Sequence, residues 1–353
     1  MTSSYSQAGE SAGRRPGWTA EAFLDGWGLP ALQAGALPAS AKRFPDGAQY
    51  RIEIPSTEGT ACLDAVLAAA RDFGVPVHRV SQGSGVFMLT DSELGRIADT
   101  AAAARLEVSL FARPNAAWVN SAMAASPAGL VAGPLARGRG QLRQVLEDVV
   151  RAAEFGIRSV LIADIGVLAA FSAMRDKGII PPDMQAKISV MMPAANPASA
   201  RILQNLGAST LNLPTDVDLA DLAAIRAAVD IPIDLYVESP DNIGGLVRHH
   251  EIPEFIRVAA PVYLKFGLRN APDLYPVGMH LESAATAMSR ERVRRARLGM
   301  ELLARSGYAP VTSELGAAGL AVPAAGAGPE QAGGAGPGQA AGAGPEQAAG
   351  AAQ

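Results

Sequence analysis

The sequence predicts an α/β fold of the (β/α)8 TIM-barrel type, flanked by a loose N-terminal extension and a disordered C-terminal tail. Three observations carry this prediction. Between Gln49 and Arg305, short apolar runs alternate eight times with amphipathic segments of helical spacing. Several helical segments stop at a glycine just ahead of the next apolar run, at Gly74, Gly156 and Gly207. The alternating stretch is about 256 residues long, close to the ~250 residues typical of such a barrel. An open doubly wound sheet is the alternative, but the turn after the first strand, Ile54-Pro55-Ser56-Thr57-Glu58-Gly59, lacks the glycine fingerprint that fold uses.

Residues 1–48 read as an extension in which Trp18, Phe23, Leu24 and Trp27 mark one short amphipathic element. The barrel occupies 49–308, with strands expected at 50–55, 77–81, 107–111, 159–163, 187–192, 210–213, 232–237 and 262–266. Between them, Leu63, Val66, Leu67 and Ala70, then Leu142, Val145, Leu146 and Val149, then Leu219, Leu222, Ile225 and Val229, repeat at helical spacing. Thr90 with Glu93 forms a capping-box pattern, and Asn196 before Pro197 an N-cap with proline in the first turn. Residues 309–353 are rich in Ala, Gly and Pro, and 327–350 fall into three units, AGPEQAGG, AGPGQAAG and AGPEQAAG. Such units bury too little apolar surface to offset the entropy of ordering, so a disordered tail is expected.

Composition excludes several function classes. The 353 residues are 49% hydrophobic and 18% charged with a net charge of -4, which suits a large core and gives no basic field for nucleic acid. The lone cysteine, Cys62, rules out an internal disulfide and an all-cysteine cage for zinc or an iron–sulfur cluster. The N-terminal residues are polar with no apolar run behind them, so neither a membrane partner nor a secretory signal is expected, and a cytoplasmic location follows. The assembly state is open, a homo-oligomer among the options.

Within the strands, side-chain parity is informative, because one parity faces the helices and the other the barrel interior. The interior parity is charged or polar: Arg51 and Glu53 in the first strand, Lys187 in the fifth, Asn212 in the sixth, Asp234, Tyr236 and Glu238 in the seventh, Lys265 in the eighth. Buried charges are costly unless paired with one another or with a ligand. An internal ion-pair network, with Glu53 against Lys265, is the structural reading. The functional reading makes Glu53, Lys187, Glu238 and Lys265 catalytic, with Arg51, Asn212, Asp234 and Tyr236 binding substrate.

Loops at the same face add Gln82 and the glycines after the second strand. Gly244, Gly245 and Arg269, after the seventh and eighth strands, occupy the loops where barrels hold phosphate or carboxylate. The long segment from Arg113 to Arg139, with Trp118 and Asn120, reads as a lid or as an insertion without a role. Asp164, Glu53 and Glu238, with His280 or Glu282, are the donors a divalent metal would find. By strand–helix order, His249-His250-Glu251 falls toward the opposite face and reads as structural. The arginines 290, 292, 294, 295 and 297 read as the solvated side of the last helix.

The stretch Lys187-Ile188-Ser189-Val190-Met191-Met192, then Asn196, Leu206-Gly207-Ala208, Leu211-Asn212-Leu213 and the helix from Leu219, resembles the middle of the collagenase-like peptidase family U32. The resemblance implies a barrel-like fold and a hydrolase acting on peptides, or action with partners on RNA bases or quinones with an iron–sulfur cluster. Where the family carries a glycine and cysteines after its seventh-strand equivalent, this chain reads Leu235-Tyr236-Val237-Glu238-Ser239-Pro240, so no iron–sulfur cluster is expected. Three functions remain: an enzyme acting on a small anionic substrate or peptide by acid/base or metal-assisted chemistry; an aldolase- or lyase-type barrel with a Schiff-base lysine; and a non-catalytic barrel that binds a partner protein.

Overall fold

The computed structural model describes residues 19–28, 37–114, 121–126, 129, 133–192 and 194–328. Expectations for residues 1–17, for Trp18, Trp118 and Asn120, and for the repeats from 329 onward lie outside the described residues. Met1–Pro38 and Ala39–Gln353 are separate units. In the first, helix α1 (Ala20–Gly26) is N-capped by Thr19, whose hydroxyl accepts from the Ala22 amide, and Phe23 stacks on Trp27 with ring centroids 5.8 Å apart.

In the second unit eight parallel strands close into a barrel in sequential order, β8 returning to pair with β1. They are β1 (Tyr50–Pro55), β2 (Val77–Ser81), β3 (Glu107–Phe111), β4 (Ser159–Ile162), β5 (Gln185–Ile188), β6 (Thr210–Asn212), β7 (Ile233–Glu238) and β8 (Val262–Phe266). The principal outer helices are α2 (Gly59–Phe73), α3 (Asp91–Ala103), α4 (Gly138–Glu154), α5 (Ile165–Asp176), α6 (Pro197–Asn205), α7 (Leu219–Ala228), α8 (Ile252–Ala259) and α9 (Glu282–Ser306). This is the (β/α)8 architecture the alternation predicts. Local chemistry fixes the helix starts: Thr90 and Glu93 cap α3 reciprocally, and Asn196 and Ser199 do the same for α6. Among the described residues no helix is long and apolar enough to cross a membrane.

The expected fifth strand, 187–192, is displaced: β5 runs from Gln185 to Ile188 and the chain then turns, the Met192 amide donating to Ser189 O at 3.0 Å. Met191 packs on a buried cluster of Phe111, Leu161 and Ala163. An apolar run that leaves a strand to cover an apolar layer has the same composition as one that stays in the strand, so hydrophobicity could not mark this end.

The floor of the barrel departs further from expectation. The sequence places residues 39–48 in the extension and 309–328 in the disordered tail, yet both segments pack under the N-terminal ends of the strands. Phe44 and Ala48 are buried, with Phe44 edge-on to Tyr263 at 5.3 Å. Thr312 bridges in parallel to Tyr50, Ser313 and Ala321 are buried, and the Ala324 amide donates to Gly156 O at 2.9 Å. The Ala/Gly/Pro composition that argued against a core supplies small residues for close approach: a Cβ on Gly319 would lie 3.1 Å from Pro45.

This cover explains Arg51, which does not face the mouth as a substrate-binding residue would. Its guanidinium donates downward to Ser313 Oγ at 2.8 Å and Ala318 O at 2.8 Å, and stacks over the Phe44 ring at 4.0 Å. Arg51 and Glu53 share a parity, but two residues of rise separate the floor from the middle of the barrel. Beside it, the register of β1 on β2 shifts between Ile52 and Glu53, and His78 repairs the shift. Its Nδ1 accepts from the Ile52 amide at 3.0 Å, while Nε2 lies 2.7 Å from Ser313 O. Burial pushes this imidazole down to about 4, so it is neutral, and a proton on Nε2 satisfies both contacts.

Ending the chain at Tyr308 would remove two acceptors of Arg51, Ser313 Oγ and Ala318 O, and the Ser313 carbonyl that His78 meets, and would uncover Tyr263. We expect a loss of about 3 kcal/mol or more in urea unfolding, the magnitude for a buried charge left without its partner. An unchanged midpoint would show that 309–328 do not support the barrel.

Candidate active site at the barrel mouth

Closure of the sheet sets β8 and β2 on either side of β1, with Glu53 in register with Lys265 on one and Arg79 on the other. Glu53 is fully buried and becomes the hub of a network. Its Oε2 accepts from Lys187 Nζ at 2.6 Å and from Arg79 Nε at 2.9 Å, its Oε1 accepts from Ser81 Oγ at 2.7 Å, and Lys265 Nζ lies 3.5 Å from Oε1. Across the barrel Asp234 joins the same cations: Oδ2 accepts from Lys187 Nζ at 2.6 Å and from Thr210 Oγ1 at 3.1 Å, and Oδ1 accepts from Arg79. Glu107, 3.7 Å from Arg79 Nη1, supplies a third carboxylate against the three cations.

Burial alone would raise the carboxyl pKa of Glu53, yet Arg79, Lys187 and Lys265 together hold it well below the usual carboxylate range. Asp234 is lowered in the same way, burial being outweighed by Arg79 and Lys187. The lysines respond differently. Burial, reinforced by Arg79, brings Lys187 down to about 8, and burial also lowers Lys265.

Four of the sequence candidates, Glu53, Lys187, Asp234 and Lys265, thus converge on one cluster. Arg79 and Glu107 belong to it as well. The parity test applied to β2 and β3 would have found both, since Arg79 and Glu107 share the interior face with Ser81 and Ser109. None of these six residues lines the cavity at the mouth.

That cavity, of about 360 Å³, lies one layer higher and is bounded by loops at the C-terminal ends of the strands. Phe111, Leu161 and Met191 give it an apolar wall, and Tyr236 separates it from the charges, with Lys265 Nζ 4.2 Å from the centre of its ring. Burial raises the Tyr236 pKa, so the group is a neutral phenol. Its hydroxyl has no hydrogen-bond partner among the described residues. Arg113, from the loop after β3, brings a cation to the same wall, donating to Gly83 O at 3.2 Å. Burial lowers its pKa, with Tyr275 and Asp273 opposing. Asp273 lies on the opposite side, accepting from Asn242 Nδ2 at 3.2 Å and the Tyr275 amide at 3.2 Å. Tyr275 reaches over to Ser56, hydroxyl to hydroxyl, and only a glycine at position 83 leaves room for its ring, which a Cβ there would meet at 2.5 Å. Ser56 itself has φ 56, a left-handed backbone rare for a residue with a side chain and concentrated at functional sites.

The remaining candidates have other neighbours. Gln82 is buried and braces its own loop, exchanging two 3.0 Å hydrogen bonds with the Gly85 backbone. Asn212 is buried at the end of β6 with its Oδ1 unpartnered. Asp164 caps α5, its two oxygens accepting from the Val167 and Ala136 amides, each at 2.9 Å. Glu238 follows an irregularity in the β7–β8 register, and its Oε1 accepts from the Arg269 amide at 2.9 Å.

Asp164, Glu53 and Glu238 therefore face three different sets of partners and do not form a metal centre together. Among the described residues no three His, Cys, Asp or Glu side chains are grouped to hold a metal ion. His280 and Glu282 are exposed. The loop of Gly244, Gly245 and Arg269 already contains an internal anion: the Asp241 carboxylate accepts from the Asn270 amide and lies 3.9 Å from Arg269 Nε. His249 is not at the opposite face either. After β7 the chain doubles back, Val247 bridging to Glu238, and this brings His249 Nε2 within 3.8 Å of Glu238 Oε2.

Because Glu53 and Asp234 are held below their ordinary values of 4.5 and 3.8, the unfolded chain takes up protons that the folded chain refuses as the pH falls through that range. Their stabilisation is present above about pH 4.5 and is lost progressively below it. Glu53→Gln is expected to cost about 3–5 kcal/mol at neutral pH and to flatten that acid slope. Urea titrations at stepped pH measure both, and an unaltered acid slope would remove Glu53 from its place as hub.

The model of peptidase family U32 matches residues 134–239, from the end of the loop after β3 through β7. No curated protein matches the chain. Among solved structures, a U32 peptidase is 13% identical with a TM-score of 0.37, over 70% of this chain and 98% of that one. Orotidine 5'-monophosphate decarboxylase from Methanocaldococcus jannaschii is 9% identical with a TM-score of 0.41, over 70% and 97%. A 3-hexulose-6-phosphate synthase is 14% identical with a TM-score of 0.36, over 69% and 99%. The chain thus bears a partial resemblance to peptidase family U32, carried by the β4–β7 side of its barrel.

Proposed function

We propose that the protein is a barrel hydrolase acting on a small substrate with an anionic group and an apolar body, bound in the mouth cavity. The single observation that supports this reading most is the cavity itself, where one cation, two phenols and one carboxylate surround an apolar wall. Arg113 anchors the substrate's anion, its guanidinium desolvated enough for the pairing to be strong. Phe111, Leu161 and Met191 hold the apolar part. Tyr236, kept neutral by burial, donates to the oxygen on which negative charge develops. Asp273 is the carboxylate on the same cavity that can take a proton from the attacking water.

The ion network beneath is a support in this reading. It fixes the strands that carry Tyr236 and places a cation against the underside of its ring. The match to a peptidase family favours hydrolysis of an amide over other acid–base reactions. A Schiff-base mechanism has less in its favour, since the amines of Lys187 and Lys265 are paired with carboxylates below the cavity.

Benzoate and phenyl phosphate carry the required anion and apolar body. Both are expected to raise the melting temperature of the parent protein and to leave Arg113→Met unmoved. With succinyl-alanyl-p-nitroanilide as a trial amide, Tyr236→Phe is expected to lower kcat by about 10²-fold with little change in KM. Equal thermal shifts in the parent and Arg113→Met, or a Tyr236→Phe enzyme as fast as the parent, would refute these assignments.

A further inference from the structure

On the far side of the Ser56–Tyr275 contact lies a second cavity, of about 230 Å³, between the loop after β8 and the first half of α9. Its space equals that of about eight water molecules, the scale of a small metabolite. Arg292 lies on its wall. The sequence groups Arg292 with the solvated arginines of the last helix, yet it is 5% exposed, while the side chains of Arg290 and Arg294 are 51% and 50% exposed. The reason is its place on α9: it shares a face with Ala285, Ser289, Val293 and Ala296, all buried.

Arg292 Nη1 donates to Ser56 O at 3.1 Å, and its Nε is buried with no partner. Glu58 lies on the same cavity but spends its carboxylate on the Gly83 and Ser84 amides, at 2.6 and 3.1 Å. Burial lowers the Arg292 pKa, with Tyr275 and Glu58 opposing. A buried guanidinium in this condition is completed by an incoming carboxylate. The rest of the cavity limits what can bring one. Leu268, Leu274, Val277 and Met288 are apolar, and the exposed carboxylates of Asp241 and Asp273 also border it. A simple anion would meet Arg292 but be repelled by these acids. A molecule with both charges satisfies both.

We propose that this cavity binds a small aliphatic α-amino acid, its carboxylate on Arg292, its ammonium facing Asp241 and Asp273, and its side chain against the apolar wall. The assignment goes beyond the reading of the mouth cavity and can stand without it, because Arg113 does not line this second cavity. The two spaces share Ser56, Pro240, Asn242, Asp273 and Tyr275, so an amino acid here would lie next to the substrate proposed for the mouth, with the Asp273 carboxylate between them.

Calorimetric titration of the full chain with L-leucine tests the proposal, using 4-methylpentanoate, which lacks the ammonium, and L-leucinamide, which lacks the carboxylate, as controls. Leucine is expected to bind, each control to bind roughly tenfold more weakly or worse, and Arg292→Met to lose leucine by a similar factor. Arg113→Met is expected to keep leucine affinity within about twofold of the parent, which separates this site from the mouth. Should Arg292→Met fail to fold, Met288→Trp fills the cavity from a half-buried position and is expected to abolish leucine binding while keeping the melting temperature. The proposal is overturned if leucine gives no binding heat, if either control binds as tightly as leucine, or if Met288→Trp binds leucine like the parent.

Discussion

A carboxylate sealed inside a barrel among three cations is the constraint on which most of this structure depends. Glu53 has no access to water, so its charge is tolerable only while Arg79, Lys187 and Lys265 stay in place around it. Those partners come from β2, β5 and β8, and Asp234 from β7 reaches two of the same cations. The network therefore ties the strand neighbours of β1 to strands across the barrel. Slipping any of these strands by one residue would turn its charge to the helix side and strand the others, so the ions specify register as apolar packing alone would not.

The same arrangement divides the interior by height. Arg51 and Tyr263 meet the floor, the ions fill the middle, and Tyr236, Phe111 and Leu161 bound the mouth cavity above. Placing the charges below the cavity separates the support of the barrel from the open space at its mouth. Groups that hold the barrel together are dry and mutually paired, whereas Arg113, Asp273 and Ser56 stand on loops that border open space. Tyr236 joins the two, one strand residue presenting its ring to a buried lysine and to the cavity.

The floor shows a related economy. Barrel strands end in backbone and side-chain groups that need partners, and here residues 39–48 and 309–328 provide them from opposite ends of the chain. His78 is the link between this cover and the sheet, accepting from a β1 amide at the register shift and meeting the tail's Ser313 carbonyl. The barrel is closed below by chain that carries few large apolar side chains, because small residues let its backbone lie close to the strands.

By itself the sequence determined the barrel, seven of its eight strands to within a residue or so, and the charged interior face. Strand–helix alternation and period-2 polarity are local properties, and both survive folding unchanged. It also paired Glu53 with Lys265, since closure of an eight-stranded sheet makes the first and last strands neighbours. Height along the strand, and what lies over each end, were not local. Parity could not tell Arg51 on the floor from Glu53 in the middle, or composition separate a tail that covers the floor from one that does not. His249 moved to Glu238 because the chain doubles back after β7, and Arg292 turned inward because its helix face meets the loop after β1. The cavities belong wholly to tertiary structure: Arg113, Asp273, Tyr275 and Ser56 sit on loops without periodicity, and only the closed barrel brings those loops to one mouth.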